Sequence, residues 1–167
     1  MPGVNILKLP DIQKVYGAAF IFILVAAFSV INSIANYFGQ YIDLAIFDIA
    51  SATTQYLDGF GMYLRSHGEA SLNVSLAVSA AALAIAGAFF VLGVGIAAFA
   101  KRRFIPLLLL SLGILLYAID PVVPIFYGTA ASHIIILIAI HLLFLFFLFM
   151  GLHASWKLSR NNSPETT

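Results

Sequence analysis

Apolar residues along the chain gather into long blocks separated by short polar breaks. The blocks run from Val15 to Phe38, Val74 to Ala100, Phe104 to Phe126 and Ser132 to Trp156. Each exceeds the roughly 20 residues that a helix needs to cross about 30 Å of hydrocarbon. Helices are expected because lipid offers backbone N–H and C=O groups no partner. The Lys101-Arg102-Arg103 break is very short, so the second and third segments must be antiparallel neighbours. Pro121 lacks a backbone donor and crowds the preceding turn, so the third segment is expected to kink or end there.

The connection from Gly39 to Asn73 has a different pattern. Ile42, Ile46, Ile49, Thr53, Tyr56, Phe60 and Tyr63 recur at helical spacing. Asp43, Ser51, Thr54, Gln55 and Asp58 fall largely on the other side. This predicts an amphipathic helix over about 42–58 in the membrane interface, ending at Gly59 and Gly61. Asp43, Asp48 and Asp58 read as its wet face. The helix would cap the bundle, with a docking surface or lid as the sharper alternative.

The basic residues set the topology. Lys8 and Lys14 precede the first segment, Lys101 to Arg103 separate the second from the third, and Lys157 and Arg160 follow the fourth. Of the eight Lys and Arg, Arg65 alone falls in a connection on the other side. Cytoplasmic loops retain Lys and Arg during insertion. The fold expected is an all-α integral membrane protein: a four-transmembrane-helix bundle, N-in/C-in, with the interfacial helix in the outer connection. Residues 1–167 are read as one membrane domain in a plasma or inner cell membrane, with both termini cytoplasmic. The first apolar run is longer than the about 7–15 residues of a signal-peptide core, so it reads as an uncleaved span.

Composition strengthens this picture. Of the 167 residues 62% are apolar and 9% charged, against about 25% charged in soluble domains. The absence of Cys excludes disulfides, thiolate metal sites and thiol redox chemistry. A net charge of +1 indicates no nucleic-acid partner. The expected partners are membrane lipid and other membrane-protein subunits. The second segment is rich in small residues, and Ala80, Ala84 and Ala88 keep a four-residue spacing that suits close helix packing. It is therefore expected to be the central helix.

Candidate chemistry gathers at one depth. Ser29, Asn32, Ser33 and Asn36 form one stripe in the outer half of the first segment. Asn73, Ser75 and Ser79 begin the second, Tyr117 and Asp120 lie near the outer end of the third, and Ser132 and His133 begin the fourth. The stripe predicts either hydrogen bonding between helices or a polar crevice. In the crevice reading Asn32, Asn36, Asp120 and His133 are the ligand-binding candidates, with quinone or lipid as ligand. An ionisable group at membrane depth usually marks a site, which singles out Asp120. His141 lies near the midplane and is the candidate contact for haem b or quinone. Haem b is the lesser expectation, because the first three segments contain no His and the other ligand would have to be His67. His67, Glu69, Asp120 and His133 come from separate segments without ligand spacing, so no metal centre is assigned. No nucleophile elbow, phosphate loop or catalytic carboxylate pair is present.

The functional expectation is an accessory or anchoring subunit of a larger membrane complex, respiratory or electron-transferring, without catalysis of its own. A homo-oligomeric channel or carrier and a redox anchor working through His141 are the alternatives.

Overall fold

The computed structural model describes residues 10–38, 50–68, 72–102, 104–122 and 131–161, apart from the side chains of 72, 73, 75, 131–134 and 161. Among these residues there are five helices and no strand: α1 Asp11–Tyr37, α2 Ala52–His67, α3 Leu72–Ala98, α4 Ile105–Ile119 and α5 Ala131–Asn161. Stretches of three of them, Asp11–Tyr37, Leu76–Ala98 and Ile135–Arg160, are long and apolar enough to cross a membrane. The protein is thus a helical one of the membrane class.

The third apolar block behaves differently from its sequence pattern. Regular helix covers 15 residues, about 22 Å at 1.5 Å per residue. It stops at Ile119, with Asp120 as C-cap and Pro121 behind it, where the missing donor and ring clash forbid continuation. The expected extension through residues 123–126 lies outside the described residues.

Helices α1, α3, α4 and α5 form a ring, each packed on its two neighbours, and α2 leans on α1 and α3. Pairing runs antiparallel around the ring. Along α1 and α3, Ala19 meets Gly93 while Phe22 meets Phe89. Between α3 and α4, Leu109 approaches Gly95 and Tyr117 approaches Phe89. The start of α1 packs on the end of α5 at Ala18 and Gly151. Lys14, Lys101, Arg102, Lys157 and Arg160 therefore share one end of the bundle, and α2 lies at the other.

The central helix is α1, not α3 as the small-residue run suggested. Val15, Ala18, Ala19, Phe22, Val25 and Ala26 are all buried, and the α1 axis contacts α2, α3 and α5. Ala80, Ala84 and Ala88 face outward. The close approach does occur, but at another phase of α3. A Cβ on Gly93 would lie 2.8 Å from the Ala19 carbonyl oxygen, so only glycine lets the two backbones meet there. Phe22, fully buried, stacks on Phe89 at 6.1 Å and fills the ring's centre. The outside is greasy: Leu108 is 71% exposed and Ile135 70%. In lipid such exposure carries no hydrophobic penalty, since acyl tails are as apolar as Leu.

The connecting helix differs from expectation in both position and orientation. Of the expected 42–58 element, residues 42–49 lie outside the described residues. Helix α2 begins at the Ser51 N-cap and passes through Gly59 and Gly61 to Gly68, whose φ of +64° supplies a left-handed stop. Its polar side is not a wet face. Ser51, Thr54 and Asp58 are buried, whereas Phe60 and Tyr63 are exposed. Polar groups turn inward here because the partners that satisfy them are on α1 and α4.

Candidate functional site

The first turn of any α-helix has backbone N–H groups without intrahelical partners. In α2 these groups build the site. The Ser51 hydroxyl accepts from the Thr54 N–H at 3.2 Å, as an N-cap serine does. The remaining two donors go to Asp120 at the end of α4. Ala52 N–H donates to its Oδ2 at 2.6 Å and Thr53 N–H to its Oδ1 at 3.2 Å. The Ser51 hydroxyl also donates to Oδ1 at 2.7 Å, and the Thr53 hydroxyl donates to the Asp120 carbonyl at 3.2 Å. Asp120 therefore acts as a second cap of α2, supplied from another helix. Its negative charge lies at the positive end of the α2 dipole.

Helix α1 contributes from the other side. Ser29 donates to the Val25 carbonyl at 2.7 Å and accepts the Ser51 N–H at 2.9 Å. One turn on, the Ser33 hydroxyl donates to Asp58 Oδ2 at 2.6 Å. Burial pushes the Asp58 carboxyl above its usual range, against the opposing pull of the Ser33 hydrogen bond and the Arg65 charge. Arg65 itself lies over the Tyr37 ring and donates to the Asn36 carbonyl at 3.2 Å.

Helix α5 closes the site with His141. Its Nδ1 lies 2.9 Å from the Leu137 carbonyl and its Nε2 3.3 Å from Asp120 Oδ2. The ring stacks on Tyr117 at 4.6 Å with planes 9° apart. Both His141 and Asp120 are almost fully buried.

The candidates from sequence thus separate. Asp120 and His141, placed by sequence in different roles, are in direct contact. Asp120 sits outside the last helical turn of α4 and is nevertheless 5% exposed, because α2 covers it. Asn32 and Asn36 are buried on the same face of α1. Asn36 Oδ1 and the Tyr117 hydroxyl find no hydrogen-bond partner among the described residues. The side chain of His133 lies outside the description. His67 ends α2 and stacks on Tyr63 at 4.2 Å. That is the opposite end of α2 from His141, about 24 Å away along a 16-residue helix. Iron ligation by His141 would need Nε2, which Asp120 engages, so the arrangement does not fit haem between these two histidines.

Sequence reasoning did not single out Ser51, Ala52 and Thr53 as partners of Asp120. A signal existed: Ser followed by Ala-Thr-Thr is a good helix start. No family model matches the chain, and no curated protein or solved structure is significantly similar to it.

Proposed function

We propose that the chain is a four-span integral membrane protein of a cell membrane, N-in/C-in, acting as an accessory or anchoring subunit of a larger membrane complex. In this reading the Phe104 to Phe126 block, which contains α4, is the third crossing, and the basic end of the bundle lies in the cytoplasm. One observation carries the proposal. Asp120 and the Ser29, Ser33 and Ser51 hydroxyls are bonded to the protein's own groups, while the outward faces of α3, α4 and α5 carry large apolar residues. What the chain offers to its surroundings is a greasy helical surface. Purification from its native membrane in mild detergent, followed by mass spectrometry, should recover stoichiometric partner subunits. Recovery of a clean homomer would favour a channel or carrier and end the subunit reading.

A second reading rests on Asn36. Its Oδ1, in the last turn of α1, is a buried acceptor without a donor among the described residues. A quinol hydroxyl or a lipid headgroup N–H fits an acceptor, whereas a quinone carbonyl does not. Quinol binding that survives Asn36→Leu unchanged would remove this reading.

A further inference from the structure

At the end of the bundle away from α2, α1 crosses α5. Gly151 on α5 touches α1 so closely that a Cβ there would lie 2.4 Å from Ala18 Cβ and 3.1 Å from the Lys14 carbonyl oxygen. Beside that crossing the first turn of α1 and residues 146–154 of α5 line an open cleft of about 350 Å³. Phe146, Phe149 and Met150 form its walls, and Asp11, Lys14 and His153 its rim. Phe146 and Phe149 are both about half exposed, on the outward side of a helix apolar enough to cross a membrane.

The chemistry of the cleft runs from wholly apolar to charged over two turns of α5. An occupant that matches it must be long and apolar at one end and charged at the other. The sign of that charge follows from the rim. Asp11 pairs with Lys14 at 3.5 Å, which holds the ammonium at the rim; the pair itself is neutral, so the sign is set by what adds to it. The Lys14 ammonium has further donors, and the His153 imidazole adds another. The positive end of the α1 dipole faces the same rim.

We propose that this cleft binds one anionic glycerophospholipid. Its phosphate lies between Lys14 and His153, and an acyl chain lies over Phe146, Phe149 and Met150. The proposal rests on the chain lying in a bilayer and is independent of the subunit reading.

The chain's single tryptophan reports on it. Trp156 is half-exposed and its ring lies 6.0 Å from that of His153. The full-length protein is reconstituted in phosphatidylcholine vesicles doped with either dibrominated phosphatidylglycerol or dibrominated phosphatidylcholine, and Trp156 quenching is measured. The anionic phosphatidylglycerol should quench at roughly fivefold lower mole fraction, the factor that one basic group near a membrane surface supplies. Lys14→Gln should erase that preference and Lys14→Arg should keep it. Lys157→Gln, exposed and outside the cleft, should leave it intact. Equal quenching by the two lipids overturns the proposal. So does a preference that survives Lys14→Gln, one lost equally in Lys157→Gln, which indicates diffuse attraction, or one abolished by inorganic phosphate. Flotation of the same vesicles reads the bilayer premise separately, because a chain that fails to float was never inserted.

Discussion

His141 Nε2 meets Asp120 Oδ2 at 3.3 Å inside the bundle, with both side chains buried. The Leu137 carbonyl can only accept, so the hydrogen on His141 Nδ1 is fixed by that 2.9 Å contact. Nε2 then faces Asp120 Oδ2 at 3.3 Å. A neutral imidazole would present a lone pair to a carboxylate there. The contact is attractive only when a hydrogen lies on the line between them.

Asp120→Asn tests the arrangement. Both carboxylate oxygens accept N–H groups from α2, and a carboxamide has one oxygen. At least one buried donor loses its acceptor, a loss of about 1–3 kcal/mol. Unfolding in detergent should show this destabilisation. A double-mutant cycle with His141→Asn should show coupling of about 0.5–3 kcal/mol. Nitrogen NMR of His141 should show a changed Nε2 environment in the variant and an unchanged Nδ1, which remains against the Leu137 carbonyl. Additive substitutions would mean that the two side chains do not act as a pair.

Ser51→Ala removes the N-cap of α2 and one donor to Asp120. The expected cost is about 0.5–2 kcal/mol. Because the loss is local, amide hydrogen exchange should accelerate at Ala52, Thr53 and Thr54 and remain unchanged in the middle of α3. Uniform acceleration across both helices would contradict a local cap.

The glycines divide into two classes. At Gly93 an added methyl meets the Ala19 carbonyl oxygen, and at Gly151 it meets Ala18. Gly93→Ala and Gly151→Ala should each destabilise by about 1–3 kcal/mol through overpacking. Around Gly17 nothing lies within 4 Å, so Gly17→Ala should stabilise α1 by about 0.5–1 kcal/mol. Thermal midpoints of the three variants provide the check. A stabilised Gly93→Ala chain would disprove the close α1–α3 approach.

Asp58 predicts a pH dependence. Its carboxyl is raised in the folded chain, chiefly by burial. The folded form holds its proton longer than the unfolded form, so the associated stability is full below about pH 4. It is lost as pH rises through the folded value. Asp58→Asn should flatten this decline and be at least as stable as the parent at neutral pH. A variant that is less stable at neutral pH, with the decline intact, would mean that the buried carboxylate is net favourable as an anion.

Much of the helical layout was legible from apolar run length alone, because lipid dictates both helix and length. The expected Val15 to Phe38 and Ser132 to Trp156 blocks overlap α1 and α5 closely. What the pattern hid was α2. Gly59 and Gly61 read as terminators, yet Gly61 is an interior residue pressed against Val78 and Ser79 of α3. The inward turn of Ser51, Thr54 and Asp58 reversed the assigned face, since the rule of polar side outward assumes water outside. Asp120 was legible as a carboxylate out of place at the end of an apolar block. Its partners were not, because Ser51 and His141 lie far from it in sequence and only the folded ring brings them within reach.

The cluster that holds α2 is drawn from Ser29, Ser51, Asp120 and His141, which a ribosome delivers in that order. A nascent α1 enters the bilayer with its hydroxyls and carboxamides still waiting for mates. The aspartate follows much later, and the imidazole that completes the set later still. A translation product halted before α5 would hold Asp120 on the α2 donors but lack the imidazole against its Oδ2. The contact across α4 and α5 is thus the last of this set that the order of synthesis makes possible.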